Sequence, residues 1–346
     1  MVRTTYMTDV IIIGAGPVGL FAVFECGMLR LQCHVVDTLD MIGGQCQALY
    51  PEKPIYDIPG HPQILAADLI HKLAEQVAPF EPTYHLEQRV EKVTPTHNGR
   101  FDIVTSTGTC INAGAVIIAA GVGAFGPNRP PLLDIESYEG KSVFYFIKNR
   151  EQFQGKRIVI AGGGDSAIDW ALSLCEIAEH ITLVHRRPKF RAAPESIAKV
   201  EALACQGKID LVIPYQLSGL KGQNGKLEAV IVETLKADEQ KIIEADVLLP
   251  FYGLAMKLGP IAEWGLNLDH NHITIDQMTC ETSMKGIYAI GDIARYPSKL
   301  KLILTGFAEA AHASHAIREL LFPNEIVHFE YSTTKGVPSF AKKIGT

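Results

Sequence analysis

The stretch that decides the fold reads Asp9-Val10-Ile11-Ile12-Ile13-Gly14-Ala15-Gly16-Pro17-Val18-Gly19. A short β-branched run leads into a glycine-rich turn. An apolar segment over 20–29 follows, and then a second apolar run that ends in Asp37. The order of strand, glycine turn, helix, strand and acid is typical of a βαβ unit that binds a dinucleotide.

Each part of this motif has a physical role. Gly14 permits the tight turn, Gly16 lets the backbone approach a pyrophosphate, and Gly19 lets the helix pack closely on the strands. The start of the helix offers unpaired N–H groups and a positive dipole end to phosphates. Asp37 is placed to accept hydrogen bonds from ribose hydroxyls. The motif alone leaves open whether the dinucleotide is FAD or NAD(P).

A second copy of the pattern lies near the middle of the chain. An apolar strand over 157–161 is followed by the turn Gly162-Gly163-Gly164-Asp165-Ser166-Ala167, a helix over 168–178 and a strand over 181–185. Ala167 takes the place of the final glycine, which is a permitted variant. The sequence therefore predicts two dinucleotide sites.

The residues that follow the two turns carry opposite charges. The first unit ends in Asp37, whereas the second ends in His185-Arg186-Arg187, with Lys189 and Arg191 close behind. An acid at this point repels a 2′-phosphate, but an arginine pair offers it forked donors. The second site is therefore predicted to prefer NADP(H). The alternative is that these basic residues are a solvated charge run without a ligand.

Composition limits the class of protein. A chain of 346 residues with 47% hydrophobic and 20% charged residues suggests two globular domains. The net charge of −6 argues against a nucleic-acid partner. The seven cysteines form no CxxC and no zinc-like spacing, so we expect no metal site. No signal peptide or membrane-spanning segment is evident, so we expect a cytoplasmic protein without a membrane partner.

Periodicity predicts most of the remaining elements. Asn98-Gly99, Thr107-Gly108 and Asn224-Gly225 are typical of hairpin turns. We expect an irregular connection over 41–54, helices over 62–78 and 306–321, and strands over 83–93, 100–105, 110–111, 115–121, 210–213, 227–234 and 245–253.

The motif order resembles that of the two-domain thioredoxin-reductase-like flavoproteins. The resemblance rests on the two glycine turns, Gly43-Gly44-Gln45, His185-Arg186-Arg187 and the late segment 286–292. It implies an α/β fold with two three-layer Rossmann-like domains, in which an NADP domain is inserted in a discontinuous FAD domain. We expect the FAD-binding domain over 1–121 and 255–346, with a C-terminal extension over 325–346, and the NADPH-binding domain over 122–254.

The chain departs from that family in its cysteines. A thioredoxin reductase needs a redox-active CxxC just before the second glycine turn, but residues 142–158 contain no cysteine. An alternative CxxxxC would pair Cys46 with position 51, which is Pro51. A lone thiol cannot form the intramolecular disulfide that two-electron transfer needs. Electrons are therefore predicted to leave a bound flavin directly for an external acceptor, with Cys46 as a packed thiol or, alternatively, a flavin-facing one.

One branch of this superfamily fits these residues: the thioredoxin-reductase-like ferredoxin/flavodoxin–NADP(+) reductases. The chain resembles it in Leu49-Tyr50-Pro51-Glu52-Lys53, in Tyr56-Asp57 followed by Pro59-Gly60, and in its C-terminal extension. The resemblance implies an FAD- and NADP(H)-dependent oxidoreductase. Hydride passes between NADPH and flavin N5, and electrons then pass singly to ferredoxin or flavodoxin, without a side-chain acid or base.

The resemblance also assigns site residues. Tyr50 is expected to stack on one flavin face and Tyr331 on the other, with the Thr333 hydroxyl near N5. Phe329 and Phe340 are alternatives to Tyr331. The expected FAD-binding residues are Gly14, Gly16, Pro17, Gly19, Asp37, Gln45, Tyr50, Val90, Asp292, which would hold the ribityl chain, and Thr333. The expected NADPH-binding residues are Gly162, Gly164, Asp165, Ser166, Ala167, His185, Arg186, Arg187 and Arg191.

Charge distribution bears on the partner. Residues 141–199 carry ten Lys/Arg against six Asp/Glu, which could steer an acidic carrier, serve the NADP phosphate or simply be solvated. The resemblance implies a homodimer. Two other functions stay open at this point. One is an NADPH-dependent flavoprotein reductase of a small molecule or quinone, and the other is a flavin-binding redox sensor with little turnover.

Overall fold

The computed structural model describes residues 5–236 and 238–325. The chain divides into two compact units. The first contains the described residues up to Phe125 and those from Met256 onward, and the second spans Gly126–Ala255. The breaks predicted from the sequence, after positions 121 and 254, lie a few residues before these.

Helices and strands alternate through both units. In the described ranges the α-helices are α1 Pro17–Met28, α2 Gly44–Ala48, α3 Ala66–Val77, α4 Asp165–Leu174, α5 Pro194–Cys205 and α6 Ile303–Leu321. The strands are β1 Thr5–Ile13, β2 Cys33–Val36, β3 Pro54–Ile55, β4 Ile64–Leu65, β5 Thr83–His85, β6 Val90–Pro95, β7 Phe101–Thr105, β8 Cys110–Ile118, β9 Ala124–Pro127, β10 Arg157–Ala161, β11 His180–Val184, β12 Ile209–Val212, β13 Gln216–Gln223, β14 Lys226–Glu233, β15 Gln240–Glu244, β16 Val247–Pro250, β17 Leu254–Lys257, β18 Leu268–Asp269, β19 His272–Thr274, β20 Ile287–Ala289 and β21 Ala294–Arg295.

The first unit is organised around one mixed sheet with the order β5-β2-β1-β8-β7-β6, and β20 pairs with β8. The pairs β1–β2, β1–β8, β2–β5 and β8–β20 are parallel. The β-branched residues of β1 are buried on both faces, as a central parallel strand requires. The strand order reverses at β1, which is where open α/β sheets bind ligands.

Two hydrophobic clusters cover the faces of this sheet, so the first unit has three layers. On one face, Ile12 and Ile117 pack with residues of α1, α3 and α6 such as Leu20, Ile70 and Ala310. The opposite face carries a second cluster that includes residues of β6 and β7 and of the returning chain after 256. This return makes the unit discontinuous in sequence.

The second unit repeats the design on a smaller scale. Its parallel sheet has the order β12-β11-β10-β16. Ile158 and Ile160 of β10 pack with Ile168 of α4 and Val200 of α5 on one face. Val159 and residues of the antiparallel sheet β13-β14-β15 pack on the other. Both units therefore place a parallel strand, a glycine turn and a helix in the same order.

The structure departs from the sequence prediction in several elements. The prediction of an irregular stretch over 41–54 is wrong in part, because α2 forms there and buries Cys46. The predicted strand over 83–93 is two strands, β5 and β6. Helix α6 begins at Ile303, three residues before the predicted start. Strands β13 and β15 were not predicted, since their polar residues gave no alternating signal.

Replacing Ile117 by Ala should destabilise the first unit, because this side chain is fully buried in β8. The lost burial and the resulting cavity should lower the free energy of unfolding by roughly 2–5 kcal/mol. The matched control is Ile242→Ala on β15, where the side chain is 59% exposed. It should change that free energy by less than about 0.5 kcal/mol. Urea unfolding followed by circular dichroism measures both, and equal losses would contradict the layer assignment.

Candidate functional site

The first unit contains an elongated cleft at the carboxyl ends of β1, β2 and β8. Its volume is about 1380 Å³ when the open mouth is included. The cleft is lined by Ile13, Gly14, Gly16, Pro17, Val18, Val36, Asp37, Thr38, Leu39, Gly44, Gln45, Cys46, Tyr50, Gln88, Arg89, Val90, Ala119, Ala120, Gly121, Gly123, Leu258, Gly259, Pro260, Ile261, Trp264, Gly291, Asp292, Lys301, Leu302 and Ile303.

The first glycine turn shows why each glycine is needed. Gly14 has a φ of +111°, and a Cβ there would lie 2.4 Å from the carbonyl oxygen of Ala119. A Cβ on Gly19 would lie 2.0 Å from the carbonyl oxygen of Gly14, so Gly19 packs behind the cleft. A Cβ on Gly16 would meet no atom within 4 Å. The space at Gly16 is therefore open to a ligand, and it lies at the start of α1.

Asp37 is held in place by backbone amides. The Ala15 N–H donates to Asp37 Oδ2 at 2.6 Å, and the Leu39 N–H donates to Oδ1 at 2.9 Å. Burial raises the pKa of Asp37, while these amides oppose the shift. A carboxylate has about four acceptor positions. The two that remain can accept ribose hydroxyls, so the geometry fits the predicted role.

The Gly43–Gly44 turn packs directly on the first glycine turn. The Gly43 N–H donates to the carbonyl oxygen of Ala15 at 2.8 Å. A Cβ on Gly44, whose φ is +55°, would lie 3.0 Å from Gly16 Cα. This contact brings Gln45 to the cleft at the start of α2.

Cys46 and Tyr50 form a hydrogen-bonded pair on the cleft wall. Burial raises the pKa of Cys46 to about 11, so the thiol stays protonated at neutral pH. The pKa of Tyr50 is also raised, chiefly by burial and further by its contact with Cys46. Because thiolate is the reactive form, these shifts favour the packed-thiol interpretation of Cys46 over a redox role.

The structure brings distant segments to the same cleft. Asp292 and Val90, both of which we expect to bind FAD, line this cleft together. Sequence reasoning missed Lys301, Leu302 and Ile303, at the start of α6, and it also missed several other lining residues. These missed residues are Thr38, Gln88, Arg89, Leu258, Pro260, Ile261 and Trp264. Their segments carry no motif, so only the fold could reveal them. Tyr331 and Thr333 lie outside the described residues.

The glycine turn of the second unit also precedes a helix, but its packing differs. A Cβ on Gly164 would meet nothing within 4 Å, so this position is open like Gly16. Gly164 precedes α4, and Asp165 and Ser166 in the first turn of the helix are exposed. Ala167 is buried, and a Cβ on Gly162 would lie 2.8 Å from its methyl group. Ala167 therefore supports the turn from behind.

The loop after β11 is tied to this turn. The His185 ring lies over Gly163, where a Cβ would come within 2.2 Å of it, and it stacks on Phe190 with ring centroids 5.4 Å apart. The Arg191 N–H donates to the carbonyl oxygen of Gly163 at 2.6 Å. The Ala193 N–H donates to Asp165 Oδ1 at 3.0 Å. The His185 ring, the Asp165 carboxylate and the Arg191 backbone thus hold the loop after β11 against the glycine turn.

The arginines of this loop differ in exposure. Arg186 is exposed and Arg187 is half-buried, and the Arg191 side chain is exposed beside the open turn. Other basic residues of 141–199 already have acidic partners, since Arg150 contacts Glu176 and Arg157 contacts Asp246. The loop 186–191 itself carries four basic residues, Arg186, Arg187, Lys189 and Arg191, and no acidic residue.

Two properties of the described residues limit the functions that the protein can have. Residues 5–236 and 238–325 contain no group of three or more His, Cys, Asp or Glu arranged to hold a metal ion. None of the helices described in these ranges has the length and apolar character needed to cross a membrane.

Fold and site together define a two-unit nucleotide-binding oxidoreductase, and comparisons with known proteins agree. The pyridine nucleotide-disulphide oxidoreductase family model matches residues 8–318. A ferredoxin–NADP reductase from Paramagnetospirillum magneticum is 60% identical over 96% of this chain and 98% of its own length. Those from Rhodospirillum rubrum and Rickettsia canadensis are 60% and 57% identical over 97% and 95% of the chain, and 98% and 97% of their own lengths.

Solved structures give the same fold. A thioredoxin reductase from Lactococcus lactis is 23% identical with a TM-score of 0.79, over 91% of this chain and 99% of its own. A bacillithiol disulfide reductase from Bacillus cereus is 19% identical with a TM-score of 0.75, over 90% of this chain and 99% of its own. The chain belongs to the pyridine nucleotide-disulphide oxidoreductase family, and within it to the ferredoxin–NADP reductases. The predicted fold class, family resemblance and oxidoreductase function are confirmed.

Replacing Gly16 by Ala should weaken FAD binding without destabilising the apoprotein. Gly16 has a φ of −69°, which any residue adopts, and its Cβ would enter open space. An added methyl group in a filled site costs about 1–3 kcal/mol, or roughly 5–150-fold in affinity. Flavin fluorescence titration of apoprotein measures this loss.

Gly19→Ala is the matched control, because its Cβ would strike the Gly14 carbonyl oxygen. This variant should lower the free energy of unfolding of the apoprotein itself by at least about 1–3 kcal/mol. If Gly16→Ala instead destabilised the apoprotein as much as Gly19→Ala, the open space at Gly16 would not be a ligand site.

Proposed function

We propose that this protein transfers electrons between NADP(H) and ferredoxin through FAD. The observation that carries the proposal is the contrast between its two glycine turns. One is followed by an amide-anchored acid and the other by an arginine-rich loop. Its cofactors are FAD and NADP(H), in keeping with its family and its relatives. The alternatives of a small-molecule reductase and a redox sensor are not favoured.

We assign FAD to the first unit. Gly14 and Gly16 with the start of α1 would hold the pyrophosphate, and Asp37 would hold the adenosine ribose. Further contacts would come from Pro17, Gln45, Tyr50, Val90 and Asp292, all of which line the cleft. Gly19 supports the turn from behind. When bound, FAD supplies a carrier that exchanges hydride with a nicotinamide and single electrons with a protein partner.

We assign NADPH to the second unit. The open turn at Gly162 and Gly164 would receive the pyrophosphate at the start of α4, near Asp165, Ser166 and Ala167. His185 packs on Gly163 and thereby orients the loop that carries the arginines. Arg186, Arg187 and Arg191 would contact the 2′-phosphate as charge-assisted donors.

The cysteines support direct transfer to an external carrier. Each of the seven is unpaired in the described structure. Cys46, the thiol on the cleft wall, is protonated at neutral pH and donates no electrons as a thiolate. Cys46 is the one cysteine among the described residues that lines the cleft, so an internal dithiol relay has no second thiol beside it, and reduction of a separate protein remains. Unpaired cysteines also support a cytoplasmic location, since reducing compartments keep thiols free.

The partner that we propose is a ferredoxin, as in the names of the relatives. We also propose flavodoxin as a second acceptor of the same kind. The positive loop 186–191 would attract an acidic carrier as well as the NADP phosphate. We also propose a homodimer, on the resemblance described above. Light scattering on the FAD-loaded protein tests the dimer.

Replacing Arg186 and Arg187 together by Ala should lower NADPH affinity. Each charge-assisted hydrogen bond contributes about 1.5–3 kcal/mol, so roughly a 100-fold rise in the dissociation constant is expected. Binding of NADH, which lacks the 2′-phosphate, is the internal control and should change little. Isothermal titration with both nucleotides measures this. Equal losses for NADPH and NADH would contradict the phosphate assignment.

Ferredoxin should accelerate NADPH-dependent reduction of cytochrome c by the FAD-loaded protein. Because opposite charges attract the two proteins, this rate should fall steeply as salt rises. Reduction of ferricyanide by the same preparation is the control and should depend less on salt. If ferredoxin and flavodoxin gave no acceleration at any salt concentration while quinones were reduced rapidly, the proposed partner would be wrong.

A further inference from the structure

A buried ion pair lies behind the cleft of the first unit. Lys299 and Glu309 contact each other through Nζ and Oε1, and their side chains are only 2% and 5% exposed. Glu309 lies in the second turn of α6, and Lys299 lies in the segment just before the helix. Removing two charges from water is costly. An apolar pair would stabilise the core equally well, so the pair calls for another role.

Both oxygens of the Glu309 carboxylate accept hydrogen bonds. Oε1 also accepts the Tyr296 hydroxyl at 2.8 Å. Oε2 accepts the backbone N–H of Gly291 at 2.7 Å, in a buried contact. Gly291 has a φ of +74° and directly precedes Asp292 in the cleft. One buried carboxylate therefore fixes the peptide that presents Asp292.

The same helix is anchored to the first glycine turn. A Cβ on Gly306 would come within 2.4 Å of the Val18 side chain in α1. Gly306 and Glu309 are three residues apart, so they lie on the same face of α6. A Cβ on Gly291 would also lie 3.5 Å from Val18. Val18, the start of α6 and the Gly291 turn are therefore packed as one block.

The other titratable neighbours of the pair are neutral. Burial raises the pKa of Cys280 to about 12, with Glu309 adding to the shift. The pKa of Tyr296 is raised by burial and by its bond to Glu309. The Lys299 ammonium lies 5.2 Å from the centre of the Tyr296 ring. Lys299 is therefore the cation that compensates the carboxylate.

We infer that Glu309 is a positioning residue: by accepting the Gly291 N–H it aims Asp292 at the bound FAD, and Lys299 holds the carboxylate beneath that turn. The inference rests on the proposed function, since Asp292 is assigned there to FAD. Neither Glu309 nor Lys299 lines the cleft. Glu309 accepts the N–H of the Ile290–Gly291 peptide, which directly precedes Asp292, and this peptide therefore carries its effect on FAD.

Two double variants of the full chain separate positioning from stability. The first combines Lys299→Met with Glu309→Gln, and the second combines Lys299→Met with Glu309→Leu. Both remove the two buried charges. The Gln side chain keeps an oxygen that can accept the Gly291 N–H, whereas Leu leaves this donor without its partner. An unpaired buried donor costs about 1–3 kcal/mol.

The readouts are the dissociation constant of FAD, from fluorescence titration of apoprotein, and the thermal midpoint of the apoprotein. We expect the Gln variant to bind FAD within about threefold of the parent. We expect the Leu variant to bind roughly tenfold more weakly, because about 1.4 kcal/mol is tenfold in affinity. When Asp292 is already replaced by Ala, adding the Lys299→Met and Glu309→Leu substitutions should weaken FAD binding only slightly further, because the effects of coupled sites are not additive.

Equal FAD affinities of the Gln and Leu variants would overturn the inference, and so would an undiminished loss in the Asp292→Ala background. Asp292→Ala alone tests the proposed function separately. If this single variant bound FAD as well as the parent, the assignment of Asp292 to FAD would fail, irrespective of the Glu309 variants. A cooperative thermal transition of the apoprotein in every variant excludes a general loss of folding, even where the unpaired Gly291 N–H lowers the midpoint of the Leu variant.

Discussion

The close approach of Gly19 to the carbonyl of Gly14 is the constraint on which the first nucleotide site depends. With 2.0 Å between that oxygen and any Cβ on residue 19, only glycine lets α1 begin directly against the end of β1. This places the unpaired N–H groups of the first helical turn at the edge of the sheet. The Gly43–Gly44 turn and the Asp37 carboxylate are then bonded to Ala15, inside the same turn. The cleft is thus assembled outward from one backbone contact.

The two units reach similar turns by different means. In the first, backbone atoms exclude a side chain at Gly14 and Gly19. In the second, Ala167 is tolerated at the equivalent of Gly19. The restriction there falls on Gly162, which packs against Ala167 and Phe251, and on Gly163, because the His185 ring occupies its space. A shared motif therefore does not imply shared packing. Gly164, by contrast, has open space around it at the start of α4.

The sequence predicted local features well, because each depends on neighbours in the chain. Both glycine turns, the acid and arginines that follow them, and the hairpins at Asn98-Gly99 and Asn224-Gly225 are of this kind. Features assembled from distant segments escaped prediction. Leu258 and Lys301 reach the cleft only because the chain returns to the first unit, and Glu309 looks like a surface residue of an Ala-rich helix until its partners are known. Helix α2 was missed because two glycines precede it, and the fold, not propensity, stabilises so short a helix.

The loop after β11 has a consequence for how nucleotide preference can evolve. Its arginines do not stand alone: the His185 ring, the Arg191 amide and the Asp165 carboxylate fasten the loop to the glycine turn at three points. The side chains that we propose to contact the 2′-phosphate are therefore carried by a small folded module. Exchange of two side chains would remove recognition of one coenzyme without creating recognition of the other. A change of coenzyme preference would therefore require the 185–193 segment to be redesigned as a unit, and not residue by residue.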